Sequence, residues 1–206
     1  MKELKKRFVY YFNYAYDQLI DKLLQIETSK SIQLDEHDNV INFMYEPLPY
    51  RYLKKIFNKY PICEDGHLID FGCGKARILV MAASYGCKNL YGIDINEHLL
   101  DTAEKNLKYH TKKYNDTQFQ LFCMDAKKYQ FDPKINVLFF YNPFQLKIFI
   151  YVFKALFRSI DEHPRKVTIY FSGAQRSTIE YFEANSQFKI LGKEDKLGTY
   201  IYVYEP

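Results

Sequence analysis

The sequence has no tryptophan, and its cysteines and histidines fall into no metal-binding rhythm. Four cysteines stand at 63, 73, 87 and 123. No pair has the CxxC spacing of a structural zinc site or a thioredoxin-type dithiol. The five histidines form no HxxxH pair. Thiols spaced in this way are expected to be free, as in a reducing cytosol. No apolar run is long enough to cross a bilayer: the greasiest window, 148–157, is ten residues long and contains Lys154. It reads as a buried helix. The charged first residues lead into no apolar core or small-residue cleavage site, so a cytoplasmic chain with no membrane role is expected. A large charge excess is missing too. The balance of 29 Lys and Arg against 25 Asp and Glu leaves +4, short of the dense basic stripe of a non-specific nucleic-acid binder. Repeats, low-complexity tracts and Gly/Ser linkers are absent from the sequence.

What is present suits a folded domain. The 206 residues are 48% hydrophobic and 26% charged, enough for one substantial core. Twenty Tyr and seventeen Phe supply rings for that core, for a stacking surface, or for both. Residues 2–26 are helical in pattern, with Phe8, Phe12, Ala15, Leu19 and Leu23 in one apolar stripe. Residues 28–39 read as a loop and 40–45 as a short apolar stretch. Glu46-Pro47-Leu48-Pro49-Tyr50 then holds the backbone extended, because neither proline fits a helix interior there. A helical pattern over 51–60 stops at Pro61.

From residue 67 the rhythm becomes strand, helix, strand, helix. Strands are expected at 67–71, 89–93, 119–123, 136–141 and 166–171, with helices over 76–85, 96–109, 146–160 and 177–184 between or after them. Two last strands, 188–191 and 199–204, read as a hairpin. Alternating βα units imply an α/β fold with a mostly parallel sheet between two helical layers. The closing hairpin implies an antiparallel edge strand. Two domains of unequal kind follow: a helical extension over 1–60 and the sheet domain over 61–206.

The sharpest motif is Asp70-Phe71-Gly72-Cys73-Gly74, where an apolar strand runs into a Gly-x-Gly turn and then a helix. Gly72 and Gly74 allow a tight turn and close backbone approach to a ligand. The following helix points its first amides at the same place. A dinucleotide fingerprint needs a third glycine at 77, where this chain has Arg77. Asp70 would repel a pyrophosphate and suits a cationic ligand with an amino group, such as S-adenosyl-L-methionine. Asp94 ends the next strand, 20 residues beyond Gly74, where an acidic side chain can accept ribose hydroxyls. Met124-Asp125-Ala126 follows the third strand. Taken singly, Asp70 could cap a loop, Asp94 could precede a helix cap, and Asp125 could be a solvated loop residue.

Together these motifs resemble the class I S-adenosylmethionine-dependent methyltransferases. The resemblance covers residues 60 to 204. It implies a Rossmann-like three-layer sandwich with a seven-stranded mostly parallel sheet, an antiparallel last strand and an N-terminal helical extension. It implies S-adenosyl-L-methionine as cofactor, held by Asp70, Gly72, Cys73, Gly74, Asp94 and Ile95. Asp125 takes the adenine amine, and the Ala126 amide helps. The family often has a third glycine where this chain has Ala76. Cys73, with no histidine near it in sequence, is a small filler rather than a nucleophile.

A fourth motif, Tyr141-Asn142-Pro143-Phe144, stands at the end of the fourth strand. It resembles the Asn/Asp-Pro-Pro-aromatic motif of methyltransferases acting on amino nitrogen, with the second proline missing. Asn142, Pro143 and Phe144 are therefore the candidate catalytic residues, with Asn142 also beside the cofactor. An amide oxygen on Asn142 can accept from an NH₂ group and aim its lone pair at the methyl, while Phe144 can stack on a planar acceptor or pack on an alkyl one. Otherwise the motif is a turn that ends a strand. Tyr45, Pro49 and Tyr50 are candidates for a lid or substrate wall, or for a plain connector. Lysines from 105 to 134 read as a solvated helix face, or else as a nucleic-acid footprint.

The expected function is methyl transfer to an amine such as a protein lysine. The alternatives are an exocyclic amino group of an RNA or DNA base, or a cofactor-binding module without activity. The N-terminal helix is a candidate homodimer contact.

Overall fold

Runs of residues apolar on both faces of a strand can be buried only between two helical layers. That rule organises the chain. The computed structural model describes residues 2–30, 45–62, 65–113, 116–142, 144–194 and 198–206. Cys63, Pro143, the apolar stretch 40–44 and most of the loop 28–39 lie outside the described residues.

Two helices come first, α1 (Lys2–Leu24) and α2 (Tyr50–Lys59). The alternating part follows: β1 (His67–Phe71), α3 (Arg77–Ser84), β2 (Asn89–Asp94), α4 (Glu97–Thr111) and β3 (Gln118–Cys123). A single 3₁₀ turn, Ala126–Lys128, leads to β4 (Val137–Tyr141), α5 (Leu146–Glu162), β5 (Val167–Ser172) and α6 (Arg176–Asn185). The chain closes with β6 (Lys189–Glu194) and β7 (Thr199–Tyr204). All seven strands join one sheet in the order β3-β2-β1-β4-β5-β7-β6. Neighbours from β3 to β5 are parallel, and β7 runs antiparallel to both β5 and β6.

The last strand is thus antiparallel, as expected, but it is not the edge. β7 inserts between β5 and β6, and β6 takes the edge. Composition explains the exchange. Ile201 and Tyr202 in β7 are buried on opposite faces, whereas Lys189, Ile190 and Leu191 in β6 are exposed. The strand with two apolar faces takes the covered place.

One layer packs α2 and α3 on Leu68, Leu90, Phe139, Tyr170 and Ile201. Phe139 and Tyr170 stack at 5.6 Å, and Phe57 of α2 meets both edge-on. The other layer packs α5 and α6 on Ile69, Phe71, Phe140, Phe171 and Tyr202. The greasy window 148–157 lies within α5, with Phe149, Val152, Phe153 and Leu156 buried. Neither layer needs tryptophan, because Phe and Tyr tile both.

The apolar stripe of α1 behaves otherwise. Phe8, Phe12, Leu19 and Leu23 are exposed, and the helix docks by its other side, where Tyr16, Ile20 and Leu24 pack on the core beside the buried Asn13, Asp17 and Asp21. Polar partners on the domain, Arg77 and Tyr50 among them, hold that side as well.

Candidate functional site

Strand tips on the carboxyl side of a parallel sheet are where its backbone groups and following turns converge. β1 delivers Asp70 there, in register with Gly92 of β2 and Phe139 of β4. Asp70 is buried, and among the described residues neither of its carboxylate oxygens has a hydrogen-bond partner. Burial first, and the nearby Asp94 charge second, push its pKa well above the usual carboxylate range. An orphaned buried carboxylate destabilises a fold unless a ligand completes it.

The turn after β1 is built on left-handed backbone. Gly72, Gly74 and Ala76 have φ of 79°, 52° and 66°. The first two are glycines for that reason. Ala76 takes the conformation without being glycine, at the position where a third glycine is common in the resembled family. It heads α3 with no side-chain cap, so the first amides of that helix are free of one. The Gly72 and Cys73 amides donate to the Ile93 carbonyl at 2.8 and 2.9 Å, which ties the turn to β2. Cys73 is buried, and burial pushes its thiol pKa up. Its Sγ fills the space that a side chain at Gly92 would occupy, since a Cβ there would lie 2.8 Å from it. The nearby Asp94 and Asp70 charges raise the thiol pKa further, which disfavours the thiolate.

Asp94 closes the turn from the second strand. Its Oδ2 accepts from the Gly74 amide at 2.9 Å and its Oδ1 from the Asn96 amide at 2.9 Å. Ile95 beside it is exposed. The Met124 amide donates to the Asp94 carbonyl at 3.0 Å, so the Asp125–Ala126 corner adjoins Asp94 and Ile95. Asp125 caps the 3₁₀ turn through the Lys127 amide at 2.9 Å and pairs with its ammonium at 3.2 Å. The structure therefore brings Asp70, Gly72, Cys73, Gly74, Asp94, Ile95, Asp125 and Ala126 to three adjacent strand tips.

At the next tip, Asn142 has φ of 40°, a left-handed conformation that Asn tolerates better than most residues. Its amide donates to the Ser172 carbonyl at 3.0 Å, and its side chain is exposed. Phe144 turns the other way. Its ring lies 4.5 Å from Phe149 and 6.3 Å from Phe140, packed against the core. Tyr141 is half-buried. Burial, with the Glu46 charge second, raises its pKa to about 12.

The N-terminal segment reaches the turn through Tyr45. Its ring lies over Gly74, where a Cβ would come within 2.3 Å of Cε2, and its hydroxyl donates to the Thr28 carbonyl at 2.9 Å. Pro49 instead heads α2, its carbonyl accepting from Tyr52 at 2.9 Å. Tyr50, expected as a lid or wall residue, is wholly buried and faces no open space. Its hydroxyl donates to Asp21 at 2.7 Å, and its ring lies 4.2 Å beneath the Arg77 guanidinium. Of the three lid candidates, only Tyr45 lies on the turn.

Reading the sequence missed a buried polar network that joins this segment to the turn. Arg77, the first residue of α3, pairs with Asp17 and donates to Thr28 Oγ1 at 2.8 Å and Ser29 Oγ at 2.9 Å. Asp21 Oδ2 accepts from the Thr28 and Ser29 amides at 2.7 and 2.6 Å. Lys75 is buried with its ammonium 2.8 Å from Glu27 and 3.0 Å from the Lys30 carbonyl. Asn106 of α4 accepts from the Glu27 amide and donates to the Glu27 and Lys75 carbonyls, at 2.9 to 3.0 Å. Burial raises the Asp17 pKa although Arg77 opposes it. The signal was there: Asn13, Asp17 and Asp21 recur every four residues, on the side of α1 away from its apolar stripe.

Among the described residues there is no group of His, Cys, Asp and Glu fit to hold a metal ion. No described helix is long and apolar enough to cross a membrane.

Residues 68–163, just under half of the chain, match the model of a family described as a methyltransferase domain. No curated protein is similar enough in sequence to match. Solved structures are similar in fold. The ribosomal protein L11 methylase of Lactobacillus delbrueckii subsp. bulgaricus is 15% identical, covers 73% of this chain and 74% of its own, and superposes with a TM-score of 0.52. A SAM-dependent methyltransferase of Aquifex aeolicus is 12% identical over 73% of this chain and 87% of its own, with a TM-score of 0.53. The magnesium protoporphyrin IX methyltransferase of Synechocystis PCC 6803, solved with bound SAM, is 13% identical over 74% and 75%, with a TM-score of 0.50. Residues 68–163 are thus similar to a methyltransferase domain, and the chain shares its fold with solved methyltransferases.

Proposed function

We propose that the cofactor lies along the 72–76 turn and that the enzyme methylates an amine, a protein lysine being the leading case. Asp70 carries the first half of this reading. A buried carboxylate with two free oxygens fits an ammonium group, and the amino acid end of S-adenosylmethionine supplies one. Asp94, already fixed by two backbone amides, has lone pairs left for ribose hydroxyls. Asp125 and the Ala126 amide take the adenine edge, with Ile95 beside the ring. Bound, the cofactor supplies a sulfonium methyl that needs no further activation.

The protein's work is then alignment. Asn142 holds an amine by its side-chain oxygen, with the nitrogen lone pair toward the methyl. Once the acceptor amine has lost its proton to solvent, Asn142 would hold the neutral nitrogen in line with the methyl that the bound cofactor would supply. Phe144 supports an amine over a nucleic-acid base, because its ring is engaged with Phe149 rather than free to stack. Residues 1–60 act as the extension that closes the site through Tyr45, and 61–206 as the catalytic domain. The test is transfer of a radiolabelled methyl into a cell lysate separated into protein, RNA and small molecules. Label in protein supports the reading, and label confined to RNA overturns it.

A further inference from the structure

An amphipathic helix normally buries its apolar side; α1 docks through Tyr16, Ile20 and Leu24 together with Asn13, Asp17 and Asp21, and leaves a second, longer apolar stripe outside. Leu4, Phe8, Tyr11, Phe12, Leu19 and Leu23 are 77, 72, 59, 52, 54 and 65% exposed. At 100° per residue they fall within one third of the helix circumference, with Ala15 among them, and run almost its whole length. The docked residues Asn13, Asp17 and Asp21 lie on the far side and are already satisfied by Arg51, Arg77, Tyr50 and Thr28. Every described side chain from Leu4 to Phe12 is exposed. A few turns of helix standing clear of their domain are marginal in water without a partner.

We propose that α1 is a dimerisation helix, its apolar stripe packed antiparallel on the same stripe of a second copy of this chain. Two observations favour a copy over another partner. The first is area. Six large side chains at roughly 100 Å² each offer about 1,200 Å² across the pair, the lower bound of a stable interface. The second is symmetry. A two-fold contact must be self-complementary. An axis between Ala15 and Tyr16 sets Phe8 opposite Leu23 and Phe12 opposite Leu19 of the other copy. The small Ala15 lies beside the axis, one residue off register from its own equivalent, and lets the helices come close where they cross. Each projecting N-terminal half then lies on the C-terminal half of the other α1, which is the half anchored by Asp17 and Asp21.

Sedimentation velocity over a wide concentration range tests this on the full chain. The wild type is expected as a dimer, and the double variant Phe8→Glu with Leu19→Glu as a monomer of half the mass. Tyr151→Glu, an exposed aromatic on α5, is expected to stay dimeric. Should the double variant misfold, Ala15→Cys in a Cys123→Ser background gives a second measurement: mild oxidation should form a covalent dimer, and Tyr14→Cys should form far less. A monomeric wild type, a dimer indifferent to the stripe, or equal cross-linking at 14 and 15 overturns the proposal. So does a monomer that binds phosphatidylserine vesicles through the same stripe.

Discussion

Replacing Asp70 by Asn tests the cofactor assignment through stability as well as binding. Asp70 is buried with no partner for either oxygen among the described residues, and its pKa in the fold is raised. In the unfolded chain the same group titrates near about 3.9. Below that pH both states hold the proton and the residue is neutral in the balance. Above it the unfolded state ionises readily while the folded state resists, so the folded protein binds more protons and stability falls as pH rises toward the folded pKa. Asn cannot ionise and escapes this loss. A buried unsatisfied group costs about 1–3 kcal/mol, and more when charged. Asn keeps an unpartnered polar group but cannot ionise, so at neutral pH Asp70→Asn is expected to raise the Tm of the ligand-free protein. The gain should shrink toward pH 4. The same change removes a charge-assisted contact worth about 1.5–3 kcal/mol, which weakens S-adenosylhomocysteine binding on the order of 10- to 100-fold. Thermal scans of both proteins from acid to neutral pH, with and without S-adenosylhomocysteine, read all of this. A variant less stable than wild type at pH 7, or one that binds as tightly, would refute the reasoning.

Gly74→Ala places a Cβ 2.3 Å from Tyr45 and keeps a φ of 52°, so Tyr45 must leave the turn. The backbone conformation alone costs about 1–2 kcal/mol, and adding Tyr45→Ala should recover the part due to the clash, as a double-mutant cycle in urea will show. Asp17→Ala strands the buried Arg77 and should cost about 3–5 kcal/mol in urea unfolding; a loss under about 1 kcal/mol would mean the pair is not buried in solution. Asn142→Ala should slow methyl transfer while leaving S-adenosylhomocysteine affinity nearly unchanged, and equal loss of both would make the residue structural rather than acceptor-positioning.

The strands, the turn and the three acidic tips were legible because each depends on local chemistry. An apolar five-residue run flanked by turn residues is a strand wherever it sits, and Gly72 and Gly74 announce left-handed backbone before any packing is known. Asp70, Asp94 and Asp125 follow from the same rhythm, since parallel strands put their ends on one side. Other features were decided only by contacts between distant residues. β7 became an interior strand because Ile201 and Tyr202 both find helices to cover them, a fact about neighbours and not about residues 199–204. Phe144 turned to the core because Phe149 stands one helical turn away to receive it. The most consequential case is α1. Its sequence announces an apolar stripe, yet the fold binds the opposite side, because Arg77, Tyr50 and Thr28 offer buried partners to Asp17 and Asp21. Burying a carboxylate is costly alone and tolerable against a guanidinium, and which of the two awaits it depends on residues 29 to 60 positions further along the chain.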